Sequence, residues 1–343
     1  MRWGYLLSII LLLISAQFNL GNAETTIERP SVYRTGLKDS LAVYLERSKS
    51  ELESNPEKAF YLAQKSIQIA SSYKLKNEIA LANYFSGIAN LNLEKNDEAK
   101  EDLLQAIILF ENEHDTTNFY DAHYYLGKVL DNIGEYSASL ESFFKALDFY
   151  IKSDSTTDIA STYQNIGVVY HNMEEAEKAK EYYLKAIKVN QQLNNQDAIA
   201  ALYQNIGIIE FRNGNDSLAL ANYSSSLRTF EKVNNVQGIG TTFSNLGLMQ
   251  LEKGNVDDAK AYFDSAHTCF VNINMKIGQV WTLFNLGVCA YWEKDFDTAE
   301  KLYKQSLLLS EEINSGEGKL TVYESLSNLY EEKEEYDNTK NKH

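Results

Sequence analysis

The chain reads as an all-α protein, a solenoid of stacked antiparallel helix pairs. Three observations predict this class. Four columns of small or aromatic residues recur at a period of forty. Within each period, apolar residues are spaced by three and four, the spacing of one helix face. Only two prolines, Pro30 and Pro56, occur in 343 residues, and proline is the residue that most disrupts a helix interior. With 44% hydrophobic residues, the chain has apolar surface enough for a large folded body.

The first residues stand apart from the repeats. Arg2 supplies a positive n-region, and Tyr5 to Ile14 (YLLSIILLLI) forms an apolar core, within the ~7–15 residues of a secretory signal. Gly21-Asn22-Ala23 places small residues at the −3 and −1 positions of a cleavage site after Ala23. An uncleaved anchor is the rival reading, but a membrane span needs ~20 apolar residues. No Cys follows the apolar run, which argues against a lipoprotein anchor. The expected organisation is a signal peptide over 1–23, a short linker over 24–35, an array of about seven helix pairs plus a partial unit over 36–335, and a polar tail over 336–343. Contact with a membrane is expected only through the signal peptide before cleavage, and the mature protein is expected in the periplasm or secreted.

The repeats align as follows. Gly87, Gly127, Gly167, Gly207, Gly247 and Gly287 fall in one column. Twelve residues on come Ala99, Ser139, Ala179, Ala219, Ala259 and Ala299. Sixteen on come Leu103, Phe143, Tyr183, Tyr223, Phe263 and Tyr303, and nineteen on Ala106, Ala146, Ala186, Ser226, Ala266 and Ser306. An earlier copy keeps Ala59, Ala63 and Ser66 but has Arg47 in the Gly column; a last copy has Ser327 there and then stops.

Each unit predicts two helices. Ile159, Tyr163, Ile166, Val169 and Tyr170 mark the first helix of one unit. Ala176, Ala179, Tyr182, Tyr183, Ala186 and Val189 mark its second. Gly134, Gly214 and Gly254 share a column in the turn between them, where a left-handed residue ends a helix. The small columns let two helix axes approach closely, and the aromatic at the sixteenth place is expected to fill the gap between units. A single hairpin cannot bury its apolar face, whereas stacked hairpins can. A last helix over about 319–332, with Glu324, Glu331 and Glu332, is expected to solvate the open end.

These columns resemble the tetratricopeptide repeat in its forty-residue form, from Gly36 to Glu335. HEAT and armadillo repeats have similar periods but lack this Gly, Ala, aromatic, Ala pattern. The resemblance implies a right-handed superhelical solenoid whose first helices line a concave groove. It also implies the function of the family's peptide-pheromone receptors and kinesin light chains, which hold extended peptides in that groove with Asn amides on the peptide backbone.

Chemistry other than binding finds no support in the residues. The net charge is −16 and no block of clustered Lys and Arg occurs, so a phosphate-binding surface for nucleic acid is not expected. The five His form no HExxH, and there is no CxxC, GxSxG or GKS/GKT motif, so no catalytic residue, metal or cofactor is expected. Gly238-Ile239-Gly240 is placed in an inter-unit turn. Cys269 and Cys289 occupy columns that are apolar in most other units, and buried thiols are favoured over a disulfide.

Asn165, Asn205, Asn245 and Asn285 hold one phase of the first helix in four successive units. Asn is a mediocre helix former, so four in register predict a role. An amide donates and accepts and can pair with a peptide backbone whatever its side chains. The same face carries Tyr125, Lys128, Asn172, Arg212, Trp281 and Trp292. These ten residues are the candidate peptide-binding set. The competing explanation is that the Asn residues tie neighbouring units together and the aromatics pack between helices.

The expected function is an exported, non-enzymatic scaffold for a peptide or partner protein, its oligomeric state open. Two alternatives stand beside it. The chain stops at EEKEEYDNTKNKH, inside an expected second helix, as the extracytoplasmic sensor part of a truncated or diverged signalling protein (a histidine kinase or a transcription regulator) would. A regulator of a phosphotransfer protein, similar to the tetratricopeptide aspartyl phosphatases, is the other; the signal peptide argues against it.

Overall fold

Twenty residues, half the sequence period, is the structural step of the chain: a helix of about five turns, then a three-residue turn. In the computed structural model, which describes residues 31–340, this step yields fifteen helices. In chain order they are α1 (Ser31–Glu51), α2 (Pro56–Ser72), α3 (Lys76–Asn92), α4 (Asn96–Asn112), α5 (Thr116–Asn132), α6 (Tyr136–Lys152), α7 (Thr156–Asn172), α8 (Ala176–Gln192), α9 (Gln196–Arg212), α10 (Asp216–Val233), α11 (Val236–Glu252), α12 (Val256–Asn272), α13 (Lys276–Trp292), α14 (Phe296–Glu312) and α15 (Gly316–Lys340). No strand occurs among the described residues. Consecutive helices pack as seven antiparallel pairs, α1–α2 to α13–α14, with α15 unpaired at the end.

Local chemistry starts and stops these helices. Asn55, Asp115, Asn195, Asn235 and Asp295 accept from the backbone N–H three residues on, satisfying a donor that the first turn leaves open. One residue in each of the thirteen turns from Lys74 to Asn314 has φ between +53° and +81°. The N–H after it bonds back to the carbonyl five residues earlier, as from Glu135 to Leu130 at 2.8 Å and Asn215 to Glu210 at 2.8 Å. This is the Schellman closure of a helix end. Gly134, Gly214 and Gly254 take it at little steric cost, as expected; the other ten positions are not glycine.

The small columns form the core. All twelve alanines and serines of the two small columns are fully buried. At each glycine of the first column, a Cβ would stand 2.5–2.9 Å from the side chain sixteen residues on. The aromatic therefore lies on the glycine of its own unit and locks α7 to α8 or α9 to α10. The expectation that it fills the gap between units is corrected. At two unit boundaries that gap is filled by the last turn of the second helix: Phe230 lies against Gly238, and Phe270 against Gly278 and Gly240. Gly238 and Gly240 thus belong to the first turns of α11 and not to an inter-unit turn.

The ends differ from expectation. Helix α1 starts at Ser31, inside the stretch expected as linker; residues 1–30, with the signal peptide and its cleavage site, lie outside the described residues. Helix α15 runs unbroken from Gly316 to Lys340, through the position where another turn was expected and most of the expected polar tail. Glu334 stands in the turn column where Glu94 and Glu174 adopt positive φ, so residue type does not prevent a turn. The stretch from Tyr336, YDNTKNKH, carries only one large apolar ring with which a helix could pack back on α15. Both cysteines are free thiols, Cys289 buried and Cys269 half-buried, and burial pushes the Cys289 thiol up to about 12.

First helices of successive units touch one another, α1 to α3, α3 to α5, α5 to α7, α9 to α11, α11 to α13 and α13 to α15. Second helices do not meet in this way. The first helices form the inner layer and the second helices splay outside it. Among the described residues, no helix is long and apolar enough to cross a membrane.

Candidate functional site

The four Asn residues project from the inner layer, on α7, α9, α11 and α13, and each is half-buried. The column divides. The Asn165 amide donates to the Tyr124 hydroxyl of α5 at 2.8 Å, which ties two units together. The side-chain amides of Asn205, Asn245 and Asn285 have no hydrogen-bond partner among the described residues. The reason lies forty-one residues back: Tyr124 faces Asn165, whereas Gln164, Gln204 and Ser244 hold the same place before the other three. Gln204 is itself turned aside, donating to Thr242 Oγ1 at 3.2 Å.

Asn172 and Arg212 close the lower rim and are already engaged. Asn172 donates to Asp131 at 2.9 Å, and the Arg212 guanidinium bonds to His171 Nε2 at 3.1 Å. A guanidinium only donates, so His171 Nε2 is the acceptor, and burial, then the Arg212 charge, pulls the His171 pKa down. Asn92, in the same column, donates to the Leu52 carbonyl at 2.7 Å. This column therefore links units in at least three places. Trp292, its last member, is 50% exposed.

Tyr125 and Lys128 lie at the other end, beside a cleft of about 460 Å³ that Leu45, Leu81, Tyr84, Ile88, Asp121 and Tyr125 help to line. Tyr125 packs edge-on against Tyr84 and Tyr124, with centroids 5.7 and 5.3 Å away. The Lys128 ammonium stands 5.5 Å from the Tyr125 ring centroid, a cation–π distance, and burial lowers its pKa. Asp121 accepts from the Tyr150 hydroxyl at 2.7 Å, and burial raises its carboxyl above the ordinary range.

A second cleft, of about 480 Å³, opens between α11 and α13. Trp281 and Asn285 line it. Phe270, Met275, Ile277 and Phe284 line it too, and the face traced through the Asn column missed them. They come from the end of α12, the following turn and other phases of α13. Comparing each column with its copy one unit earlier would have revealed them.

Residues 158–232 match the sequence profile described as tetratricopeptide repeat. Over those residues the chain is similar to the tetratricopeptide repeat, and the same helix-pair step runs through the rest of the array. No curated protein matches the chain in sequence. Among solved structures, the array resembles the apo form of RapI at 15% identity and a TM-score of 0.63, over 80% of this chain and 99% of that one. It resembles aspartyl phosphate phosphatase F from Bacillus subtilis at 15% identity and 0.60, over 81% and 72%. It also resembles the Rap conjugation gene regulator of plasmid pLS20, in complex with the Phr* peptide, at 16% identity and 0.54, over 86% and 80%. At these identities the likeness is one of fold.

Proposed function

We propose that the protein is a non-enzymatic scaffold that captures an extended peptide, or an extended segment of a partner protein, on the inner face of its first helices. The observation that carries this reading is the set of three half-buried amides, Asn205, Asn245 and Asn285, in register on adjacent helices and free of protein partners. A half-buried amide with unmet donors and acceptors is poised for an outside partner, and a peptide backbone supplies both. Support also comes from the fold-level likeness to a repeat protein that holds the Phr* peptide.

The test is a synthetic library of N-acetylated, C-amidated hexapeptides selected on the full chain. Selected peptides are expected to lose affinity for the Asn205→Ala/Asn245→Ala pair by roughly 1–3 kcal/mol, from the net value of one hydrogen bond each. The unfolding midpoint should hold, because Ala is the better helix former. Asn165→Ala should behave oppositely and lower stability, since it removes the bond to Tyr124. Unchanged affinity in the pair, with all variants folded, would remove the amides from the binding surface.

The reading extends to export, with cleavage after Ala23, from the Arg2 n-region, the apolar core and the Gly21-Asn22-Ala23 site. N-terminal sequencing of material recovered outside the cytoplasm is expected to begin at Glu24; a chain still beginning at Met1 would sink export.

A further inference from the structure

The cleft between α11 and α13 departs from the repeat around it. Met275, Ile277, Trp281 and Phe284 line it. One unit earlier the same columns hold Asn235, Gln237, Thr241 and Ser244, and in the two units before that they hold only polar residues or alanine. Four columns thus become large and apolar in a single unit, and all four converge on one space. Core packing accounts for only part of the change: Phe284 lies against Tyr303 with ring centroids 5.6 Å apart. Ile277 stays 37% exposed and its neighbour Leu248 39%, while Trp281 and Phe284 are only half-buried. Apolar surface left clustered in water marks an interaction site.

The cleft also has the dimensions and polarity of a side-chain subsite. Its volume of about 480 Å³ falls within the ~300–1,000 Å³ of small-ligand sites. None of its lining residues is charged, in a chain of net charge −16. The Thr241 and Ser244 hydroxyls are turned back onto their own helix, donating to the Gln237 and Gly240 carbonyls at 3.0 and 3.1 Å. Gly278 lets Phe270 form the floor, since a Cβ there would lie 2.5 Å from its ring. At the edge stands the unpartnered Asn285 amide.

We propose that this cleft is the specificity subsite of the groove and takes one leucine- to phenylalanine-sized apolar side chain of an extended peptide, with Asn285 holding the adjacent peptide backbone. The inference rests on the groove reading above and names the class of peptide that fits it. An ammonium or carboxylate entering the cleft would lose its hydration and meet no counter-charge. An apolar side chain meets six apolar residues and gains by burial.

The hexapeptides selected on the full chain provide the test. They are expected to share one large apolar residue, and its replacement by Asp should weaken binding about tenfold or more, as loss of a buried apolar side chain would. Ile277→Glu in the protein should do the same. Ile277 sits in the first turn of α13, where an acidic residue suits the helix dipole, so this variant should fold; Leu248→Glu, from the opposite wall, gives an independent reading. Peptides without a common apolar residue overturn the subsite. So do peptides that bind both Glu variants normally yet lose affinity for the Asn205→Ala/Asn245→Ala pair, and in that case the groove reading survives alone. Peptides weakened by the Glu variants but not by the Asn pair uphold the subsite and remove the two central amides. Peptides indifferent to every variant, or a library from which nothing is selected, overturn both.

Discussion

Gly207 shows what the recurrent glycine does. A Cβ at this position would lie 2.7 Å from Tyr223 Cε1, and Tyr223 is buried in the core with little room to retreat. Gly207→Ala is therefore expected to destabilise by roughly 1–3 kcal/mol through overpacking, read as a lower urea midpoint at unchanged slope. An unaltered midpoint would mean that the α9–α10 pair can open at no cost. The column itself was legible, because a residue that must be small at every fortieth place leaves a periodic trace. Its partner was misassigned to the gap between units, because a column records that a residue is small and not what presses on it. The Asn column teaches the same lesson more sharply. Four identical residues at identical phase divide by partner, because Tyr124 reaches one of them whereas Gln164, Gln204 and Ser244 hold that place before the rest and make no such bond.

At the scale of the element, the turns depart from what composition alone suggests. Three turn glycines pointed to a left-handed residue at the helix end, yet thirteen turns use one and ten do so without glycine. Packing of the next helix imposes the conformation, and the local sequence bears its cost. Glu94 is such a residue, exposed at φ +60°. Glu94→Gly is expected to stabilise the chain by up to about 1 kcal/mol, by relieving the contact between Cβ and the following carbonyl, less the greater freedom that glycine has when unfolded. A chemical denaturation curve checks it, and a lower midpoint would contradict the account. The long α15 is the converse case. Glu334 stands in the same column as Glu94, but the residues from Tyr336 to Lys340 carry a single large apolar ring, and the helix continues through them.

The whole molecule is quasi-one-dimensional: each unit touches only its neighbours along the chain. Stability in such an array is a sum of unit and interface contributions, and the ends, with one interface each, open first. Backbone hydrogen exchange is expected to be slowest in α7 to α10 and fastest in α15, measured by mass spectrometry on proteolytic fragments. Uniform protection from end to end would instead mean one cooperative block. The same architecture bears on the proposed groove, since a surface built from successive first helices is as long as the array and can vary from unit to unit.

By itself the sequence determined the helix-pair solenoid and the buried columns. Each depends on a pattern repeated within one unit, and burial against a copy of itself leaves the same mark every forty residues. The tertiary structure alone decided which amides are free, that Asn172 and Arg212 serve as inter-unit links, where Met275, Ile277, Trp281 and Phe284 converge, and how the chain ends. These depend on side chains that meet across a unit boundary, about forty residues apart. A hydrogen bond or a cleft there is set by the distance and orientation of two particular side chains, which stacking brings together and periodicity does not specify.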